Sequence, residues 1–465
     1  MRRKHIYRLA LLFVGLGLVV SCRKDLEDYE EEELSGGLNG TVFDNSKTAF
    51  LHQMPGMGAD VELKFFVGNS FFNQNWVSAP ASTGARDGLG PLLNARSCSA
   101  CHFKDGRGEP FLESGDNANG FLIRLSIPGE DEHGGPLAEP TYGGQFNDLA
   151  INEILDEGDI IVTFEYINGT YDDGEPYQLR KPVYSVANLN YGEMASDVLM
   201  SPRIGQQMIG LGLLEAISDA DIIAQMDLLD ADGDGISGKP NIVWDEEKGY
   251  NRLGRFGWKA NQPSLKQQVA GALKGDLGIR TSLFNSENHT DNQPDLHDLP
   301  DGGEVEIDDD DLHKMVIYSS SLAVPARRDI DKESVKNGKE LFTDLDCIKC
   351  HTDRYRTGMT HELGYLNNQV IFPYTDLLLH DMGPELADGR PDYEADGQEW
   401  RTQPLWGVGL IQTVNGHTYL LHDGRARNVE EAILWHGGEA ESSKNKFKAL
   451  SKKERQDLLE FINSL

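Results

Sequence analysis

Two short stretches, Cys98-Ser-Ala-Cys101-His102 and Cys347-Ile-Lys-Cys350-His351, contain four of the five cysteines in the chain. Cys-x-x-Cys-His is the attachment motif for c-type haem, in which the adjacent histidine binds the iron. A zinc site, a disulfide or a redox Cys-x-x-Cys are the alternatives, but zinc needs further ligands and a redox pair leaves each histidine unexplained. The two copies predict two covalent haems held by Cys98, Cys101, Cys347 and Cys350, with His102 and His351 as iron ligands.

The fifth cysteine, Cys22, ends an N-terminal export signal. A basic start, Arg2-Arg3-Lys4, precedes an apolar run from Leu9 to Val20 that is short for a membrane span. Together with Ser21 the run resembles a bacterial lipobox, which implies cleavage before Cys22 and lipidation of its thiol; an ordinary signal peptide is the alternative. We expect residues 1–22 to be a lipoprotein signal peptide. The mature chain would then be exported and lipid-anchored in the bacterial cell envelope, at the outer membrane or facing the periplasm.

The bulk composition limits the classes of partner. With 465 residues and 39% hydrophobic residues, the chain can form two or three folded domains. A net charge of −33 argues against nucleic acid, because phosphate binding needs a basic surface. The charge could steer a basic electron-donor protein, such as a small cytochrome or cupredoxin, or it could only keep the chain soluble. Residues 23–45 are expected to form an acidic tether to the membrane anchor.

Local patterns indicate how the rest of the chain is organised. Residues 333–345 have apolar positions between charges and predict an amphipathic helix that leads into the second motif, and residues 452–465 predict a closing helix. β-branched and aromatic residues at 120–127 and 159–167 predict strands and a hairpin. We therefore expect a mainly α fold with two cytochrome c-like haem domains. The N-terminal domain, residues 46–325, would carry a β-containing insertion, and residues 326–465 would form the C-terminal domain.

The chain resembles the bacterial di-haem oxidoreductase family, which is related to di-haem cytochrome c peroxidases and often described as "thiol oxidoreductase". The resemblance extends from residue 88 to near the C-terminus. Its motifs are Gly88-Leu-Gly-Pro-Leu-Leu-Asn-Ala-Arg-Ser-Cys-Ser-Ala-Cys-His102, Gly254-Arg-Phe-Gly-Trp-Lys-Ala260, Leu378-Leu-His-Asp-Met-Gly383, Leu421-His-Asp-Gly-Arg-Ala426 and Trp435-His-Gly-Gly-Glu-Ala440.

The related peroxidases imply roles for two further residues. In their pattern a tryptophan lies between the haems, and Ser-Leu-x-x-Gln and a distal glutamate follow it. Here Trp258 matches the tryptophan, Ser264-Leu265 follows, and Asp276 matches the glutamate. The chain departs from the pattern at Lys259-Ala260 and in using the shorter aspartate. The alternatives are that Trp258 is a core aromatic residue and Asp276 a helix-end or surface carboxylate.

The resemblance leaves the sixth ligand of the C-terminal haem open. In the peroxidases it is a methionine just before His-Asp-Gly, whereas Leu421 stands at that position here. The same frame, His422-Asp-Gly-Arg-Ala, supports an internal duplication of the haem domain. The substitute ligands to be weighed are Tyr419, His422, His436, Met359 and Met382.

An acidic run in the middle of the chain predicts a calcium site. Asp230, Asp232 and Asp234 alternate as in the start of a calcium loop, and Gly235 allows a sharp turn. Asn241 stands where a full loop of this kind has its bidentate acid. The alternative is an acidic turn without a bound ion.

The resemblance implies a peroxidase-like oxidoreductase. Asp276 would transfer a proton at the N-terminal haem held by His102, and Trp258 would lie on the electron route from the haem held by His351. The substrate would be hydrogen peroxide or another small molecule, and a donor protein would supply electrons. The alternatives are an electron-transfer cytochrome without catalysis and an oxidase of a thiol or protein side chain. A structural or glycan-binding lipoprotein would leave both haem motifs unexplained.

Overall fold

The computed structural model of the chain describes residues 31–113 and 118–465. The predicted signal peptide, Cys22 and residues 23–30 of the predicted tether lie outside this part. Residues 31–45 lie against the C-terminal half, where Lys339 Nζ donates to Glu32 at 2.7 Å and Arg327 also pairs with Glu32. The domain boundary near residue 325 stays a prediction. No helix among the described residues is long and apolar enough to cross a membrane.

Most of the described helices are short. Five have 12 residues or more, and four of these five form two packed pairs. The helices are α1 (Gly37–Gly40), α2 (Ala59–Asn73), α3 (Cys98–Cys101), α4 (Leu211–Glu215), α5 (Asp219–Ile223), α6 (Leu265–Leu277), α7 (Asp309–Ser320), α8 (Glu333–Asp344), α9 (Ile411–Asn415), α10 (Val429–Trp435), α11 (Glu441–Ala449) and α12 (Lys452–Ser464).

The strands are spread along the whole chain. They are β1 (Thr41–Val42), β2 (Leu92–Leu93), β3 (Phe121–Ser126), β4 (Gln145–Phe146), β5 (Leu149–Ala150), β6 (Asp159–Thr170), β7 (Pro176–Ala187), β8 (Leu199–Ile204), β9 (Ile242–Asp245), β10 (Tyr250–Leu253), β11 (Val324–Pro325), β12 (Tyr355–Arg356), β13 (Val370–Ile371), β14 (Leu379–Asp381) and β15 (Glu399–Arg401).

The prediction of a mainly α fold made of two cytochrome c-like domains is wrong. The chain is only 29% helical and 18% strand, and its strands form many small sheets. One sheet has three strands in the order β4-β3-β8, and the other described strands form pairs, two of which, β12-β13 and β14-β15, lie in the C-terminal half. The sequence patterns placed β structure only in an N-terminal insertion. Strands of two or three residues are too short to show an alternating pattern in the sequence. Such strands form where tertiary contacts bring two backbone segments together.

Several local predictions agree with the structure. Helix α8 leads into the second motif, and α12 closes the chain, beginning with a reciprocal cap between Ser451 and Glu454. Strands β6 and β7 form the predicted hairpin, paired from Asp159 with Ala187 to Thr170 with Pro176. The hairpin turn falls at residues 171–175, after the Asn-Gly pair. Its tip lies on the C-terminal half, where Tyr171 Oη donates to Glu430 at 2.6 Å.

The N-terminal half is built around the crossing of α2 and α7. Gly68 of α2 lies so close to α7 that a Cβ there would be 2.1 Å from the carbonyl oxygen of Lys314. One turn later, Phe72 lies 5.0 Å from the ring of Tyr318 and 6.2 Å from the ring of His102. The crossing thus places an aromatic side chain against the histidine of the first motif.

The C-terminal half repeats this crossing with α8 and α12. A Cβ on Gly338 of α8 would be 2.1 Å from the carbonyl oxygen of Asp457. One turn later, Phe342 lies 5.2 Å from the ring of Phe461 and 6.2 Å from the ring of His351. The two halves therefore position their motif histidines with the same glycine, phenylalanine and helix-pair arrangement, which supports the internal duplication.

Candidate functional site

A main-chain carbonyl orients the histidine of the first motif. The Nδ1 of His102 donates to the carbonyl oxygen of Gln206 at 2.7 Å. Because a carbonyl can only accept, Nδ1 carries the proton and Nε2 keeps its lone pair. Burial lowers the pKa of His102, which keeps the ring neutral. A neutral imidazole held in this way is prepared to bind a metal through Nε2.

The second motif has the same arrangement. The Nδ1 of His351 donates to the carbonyl oxygen of Tyr374 at 2.9 Å. Burial lowers the pKa of His351 to about 4, so this ring is also neutral near pH 7. Each motif therefore offers one oriented ring nitrogen for iron.

The thiols of the two motifs are unlinked. Cys98, Cys101, Cys347 and Cys350 are free cysteines, so the structure contains no disulfide between them. Burial raises the pKa of each thiol. Among the described residues, no group of metal-binding side chains includes both cysteines of a motif, although the ligand atoms of Cys350, Asp376 and His380 lie within 4.8 Å of one another. Both pairs remain available for a bond to a cofactor.

Each motif lines its own cavity. The cavities enclose about 1480 Å³ at the first motif and about 1460 Å³ at the second, including space open to solvent. Trp258 and Gln207 line both. The indole Nε1 of Trp258 donates to the carbonyl oxygen of Ile204 at 2.9 Å, which fixes the ring between the cavities. Trp258 is thus buried, yet its position serves both sites.

Two buried guanidinium groups of the second cavity fit the carboxylates of a haem. Arg107 and Arg401 line this cavity and form no ion pair among the described residues. Burial lowers the pKa of each to about 10, so both stay charged. Among the described residues, the Nε of Arg107 has no hydrogen-bond partner. A haem carries two propionates, and a buried charge of this kind is stable only with an opposite charge nearby.

Asp276 lies in the first cavity near the end of α6. The cavity is lined by both Asp276 and His102. The Oδ1 of Asp276 accepts a hydrogen bond from Gln145 Nε2 at 2.8 Å. After burial, the charge of Asp276 is the largest contribution to the raised pKa of Cys98 and Cys101. The structure therefore places the predicted acid beside the first motif, and the half-buried side chain is not a free surface carboxylate.

The second cavity is lined by four histidines, whereas His102 is the one histidine among the described residues that lines the first. His380 donates through Nε2 to Asp376 at 2.7 Å and through Nδ1 to Glu439 at 2.6 Å. Burial opposes the charge, but Asp376 and Cys350 raise the pKa of His380 well above its usual value. His380 is thus a buried imidazolium with both ring nitrogens engaged.

The structure separates the five substitute ligands. The second cavity is lined by His422, His436 and Met382, but not by Tyr419 or Met359. The side chain of Met359 is exposed, at 71%.

The predicted calcium residues do not all come together. The carboxylates that lie within reach of one ion belong to Asp227, Asp230 and Asp232. Asp234 instead accepts a hydrogen bond from Lys349, inside the second motif, at 2.5 Å. Calcium binding by Asp230, Asp232 and Asp234 stays a prediction.

The sequence patterns assign no role to three residues that line the second cavity, namely Arg107, Arg401 and His380. Arg107 follows the first motif in a Gly-Arg-Gly segment whose sequence does not indicate where the side chain points. His380 lies within the family motif Leu378–Gly383, and the motif by itself does not indicate a role for this residue. Only folding brings Asp376 and Glu439 to opposite sides of its ring.

Paired thiols, an oriented histidine in each of two cavities and a shared tryptophan define a protein with two haem sites. The chain belongs to the di-haem oxidoreductase family, because the family model described as "Di-haem oxidoreductase, putative peroxidase" matches residues 29–465. No curated protein and no solved structure gives a significant match. The protein is therefore an oxidoreductase with haem cofactors, as the sequence motifs predicted.

Proposed function

We propose that this oxidoreductase reduces hydrogen peroxide to water with electrons from a donor protein. The supporting observation is that Asp276 and His102 line one cavity while Trp258 lines that cavity and its neighbour. Reducing one peroxide to two waters consumes two electrons and two protons. Haem iron supplies the redox chemistry when it is bound, and the protein must supply protons, orientation and an electron path.

Asp276 is the residue that moves a proton between the peroxide oxygens. Its Oδ1 is held by Gln145 at 2.8 Å, which leaves Oδ2 for a substrate oxygen. Cleavage of the O–O bond is easier when the leaving oxygen gains a proton as the bond breaks. Asp276 is well placed for this transfer because it shares the cavity with the iron ligand His102.

Trp258 carries the electron path between the cavities. The guanidinium of Arg107 lies 5.3 Å from the centre of its ring. A cation over the ring disfavours a positive charge on the indole, since both groups would then repel each other. With haem bound at His351 and His102, Trp258 would bridge the two sites, and Arg107 would keep its indole from being held in an oxidised state.

Covalent attachment is part of the same proposal. Each thiol of the motifs adds across one vinyl group of a haem, so that a sulfur–carbon bond forms and the thiol hydrogen ends on the neighbouring vinyl carbon. The four free thiols and their placement at the two cavities support this reaction. The holoprotein would then keep both haems after denaturation.

Replacing Asp276 tests the catalytic step. Asp276→Asn should lower peroxide turnover by about 10²–10⁴-fold, the usual contribution of a general acid or base. Asp276→Glu should retain activity if the longer acid fits. Turnover is measured with a reduced donor, after both haems are shown to be bound and reducible.

Asp148→Asn is the matched control. Asp148 accepts from Asn94 at 2.8 Å in the same network but does not line the cavity. Wild-type kinetics in Asp276→Asn would remove this residue from the mechanism. A wild-type protein inert to peroxide in every redox state would favour an electron carrier, and turnover of a thiol or protein side chain instead would favour the oxidase.

A basic donor protein, such as a small cytochrome or cupredoxin, is the proposed source of electrons. The net charge of −33 would speed its approach by long-range attraction. The rate of electron entry should then fall as salt increases. A rate independent of salt would contradict electrostatic steering.

We also propose that the protein is exported and lipid-anchored in the bacterial cell envelope through Cys22. The support is the apolar run of residues 9–20 ahead of Ser21-Cys22. Cys22→Ala should move the protein from the membrane fraction to the soluble fraction. Continued tight membrane association would point to an uncleaved helix.

Calcium is the last proposed ligand, at Asp230, Asp232 and Asp234. Metal analysis of the holoprotein should find at least one calcium per chain, lost when all three residues become Asn. An unchanged calcium content in that variant would place any bound ion elsewhere.

A further inference from the structure

His436 shares the bonding pattern of the two motif histidines. It follows α10, and its Nδ1 donates to the carbonyl oxygen of Ala432 at 2.6 Å. This bond places the proton on Nδ1, so Nε2 keeps its lone pair. Among the described residues, no hydrogen bond reaches Nε2. His102 and His351 have the same combination, a carbonyl on Nδ1 and an unbonded Nε2.

The other histidines of the second cavity lack this combination. His380 has carboxylates on both ring nitrogens, so it has no lone pair to offer. The ring of His422 stacks on Trp400 at 3.9 Å and 9°, and within the described residues neither nitrogen has a hydrogen-bond partner. Metal-binding histidines usually donate their other N–H to a carbonyl or carboxylate. The Oδ2 of Asp423 lies 3.8 Å from Nε2 of His422, which is too far for a hydrogen bond that would orient the ring.

His436 also lies near the iron ligand of this cavity. Both His351 and His436 line it. Leu421, at the position of the methionine ligand of the related peroxidases, offers no donor atom.

We propose that His436 is the sixth ligand of the haem held by His351, so that this iron is bound by two imidazoles. The inference rests on haem binding in the second cavity and does not depend on peroxide as the substrate. A methionine ligand raises the reduction potential of a haem, so a second imidazole in its place gives a lower potential. Among the described residues, His102 is the one histidine that lines the first cavity, so no second imidazole is offered to a haem there.

The test uses electron paramagnetic resonance and visible spectra of the oxidised holoprotein. In the wild type, one of the two haems should be low-spin with two nitrogen ligands, without the long-wavelength band of methionine–iron bonding. His436→Ala should convert that haem, half of the total haem signal, to a high-spin form. His436→Met should restore a low-spin haem that has the methionine band and a more positive potential.

His422→Ala is the matched control, because His422 lines the same cavity. It should leave the spin state of the second haem unchanged. The proposal is overturned if His436→Ala keeps the wild-type low-spin signal, if His422→Ala loses it, or if the wild type already shows the methionine band or a high-spin second haem. Haem content is measured in each variant, and His436→Met keeps the test valid if His436→Ala fails to fold. None of these readouts uses peroxide turnover.

Discussion

The two halves of this protein share a helix crossing but differ in what lines their cavities. In each half a glycine lets two helices approach, and a phenylalanine one turn later lies 6.2 Å from the motif histidine. The first cavity contains one histidine and the carboxylate of Asp276. The second contains four histidines, and two arginines line each cavity, Arg124 and Arg203 in the first and Arg107 and Arg401 in the second.

The duplicated part of the protein is the helix crossing that supports each motif histidine, whereas the remaining cavity walls differ between the halves. The crossing has to place one histidine, which requires the same close approach in both halves. The opposite walls differ: residues of β3, β8 and α6 line the first cavity, whereas residues of α10 and α11 line the second. The first cavity thus presents a carboxylate and the second a group of histidines, with Trp258 lining both.

Removing one motif at a time should give the largest effect. Cys98→Ala with Cys101→Ala, and separately Cys347→Ala with Cys350→Ala, should each reduce covalent haem from two per chain to one. The reason is that each thiol pair serves only its own cavity. Intact mass and a pyridine haemochrome assay measure the content, and two haems retained in either variant would contradict the assignment.

Adding a methyl group at one helix crossing should destabilise that half of the protein more than the other half. Gly68→Ala and Gly338→Ala would each put a Cβ 2.1 Å from a carbonyl oxygen of the partner helix. We expect about 1–3 kcal/mol of destabilisation, typical of overpacking. Amide hydrogen exchange should show faster exchange mainly in the altered helix pair.

Gly364→Ala is the control for this pair, because a Cβ there meets no atom within 4 Å. It should leave exchange in both helix pairs unchanged. Equal loosening of both pairs by Gly68→Ala alone would mean that the halves do not respond separately.

Removing the charge of Arg107 should sharpen the difference between the two haem sites. A buried cation favours the reduced haem, which carries one more electron. Arg107→Gln should therefore lower the reduction potential of the second haem. We expect a shift of on the order of 59 mV, which corresponds to a tenfold change in a one-electron equilibrium. Redox titration measures it, with Arg427→Gln, which lies outside both cavities, as control. An unchanged potential would mean that Arg107 does not act on the haem.

A smaller, pH-dependent effect should come from the N-terminal half. Burial raises the pKa of Glu157 to about 8 from its ordinary 4.5. The folded protein thus binds this proton more tightly than the unfolded chain does, so the stability it contributes is complete below pH 4.5 and is lost as the pH rises to about 8. In Glu157→Gln, Tm should fall less between pH 4.5 and about 8 than it does in the wild type. The difference should be several degrees, at about 2–4 °C per kcal/mol.

Thermal unfolding of the holoprotein at several pH values checks this prediction. Glu165→Gln, at an exposed position of β6, is the control and should keep the wild-type pH profile. A Glu157→Gln variant with the same decline as the wild type would assign the pH dependence to other groups.

Local motifs made much of the candidate site predictable. The Cys-x-x-Cys-His pentapeptides, Trp258 and Asp276 are all recognisable in the sequence, and the structure brings Asp276 and Trp258 to the first motif. The closing helix α12 and the long hairpin were also predictable. Each of these features is written in consecutive residues or in a regular period, which is the information that a single sequence contains.

The sequence by itself determined the two haem motifs, the family and the longer regular elements. Only the tertiary structure decided the balance of helix and strand, the pairing of α2 with α7 and the walls of the cavities. Gly68 and Lys314 are far apart in sequence, and Arg107 faces the second cavity although it follows the first motif. The physical reason is that such contacts depend on how buried surfaces pack across the whole chain, which no local pattern specifies.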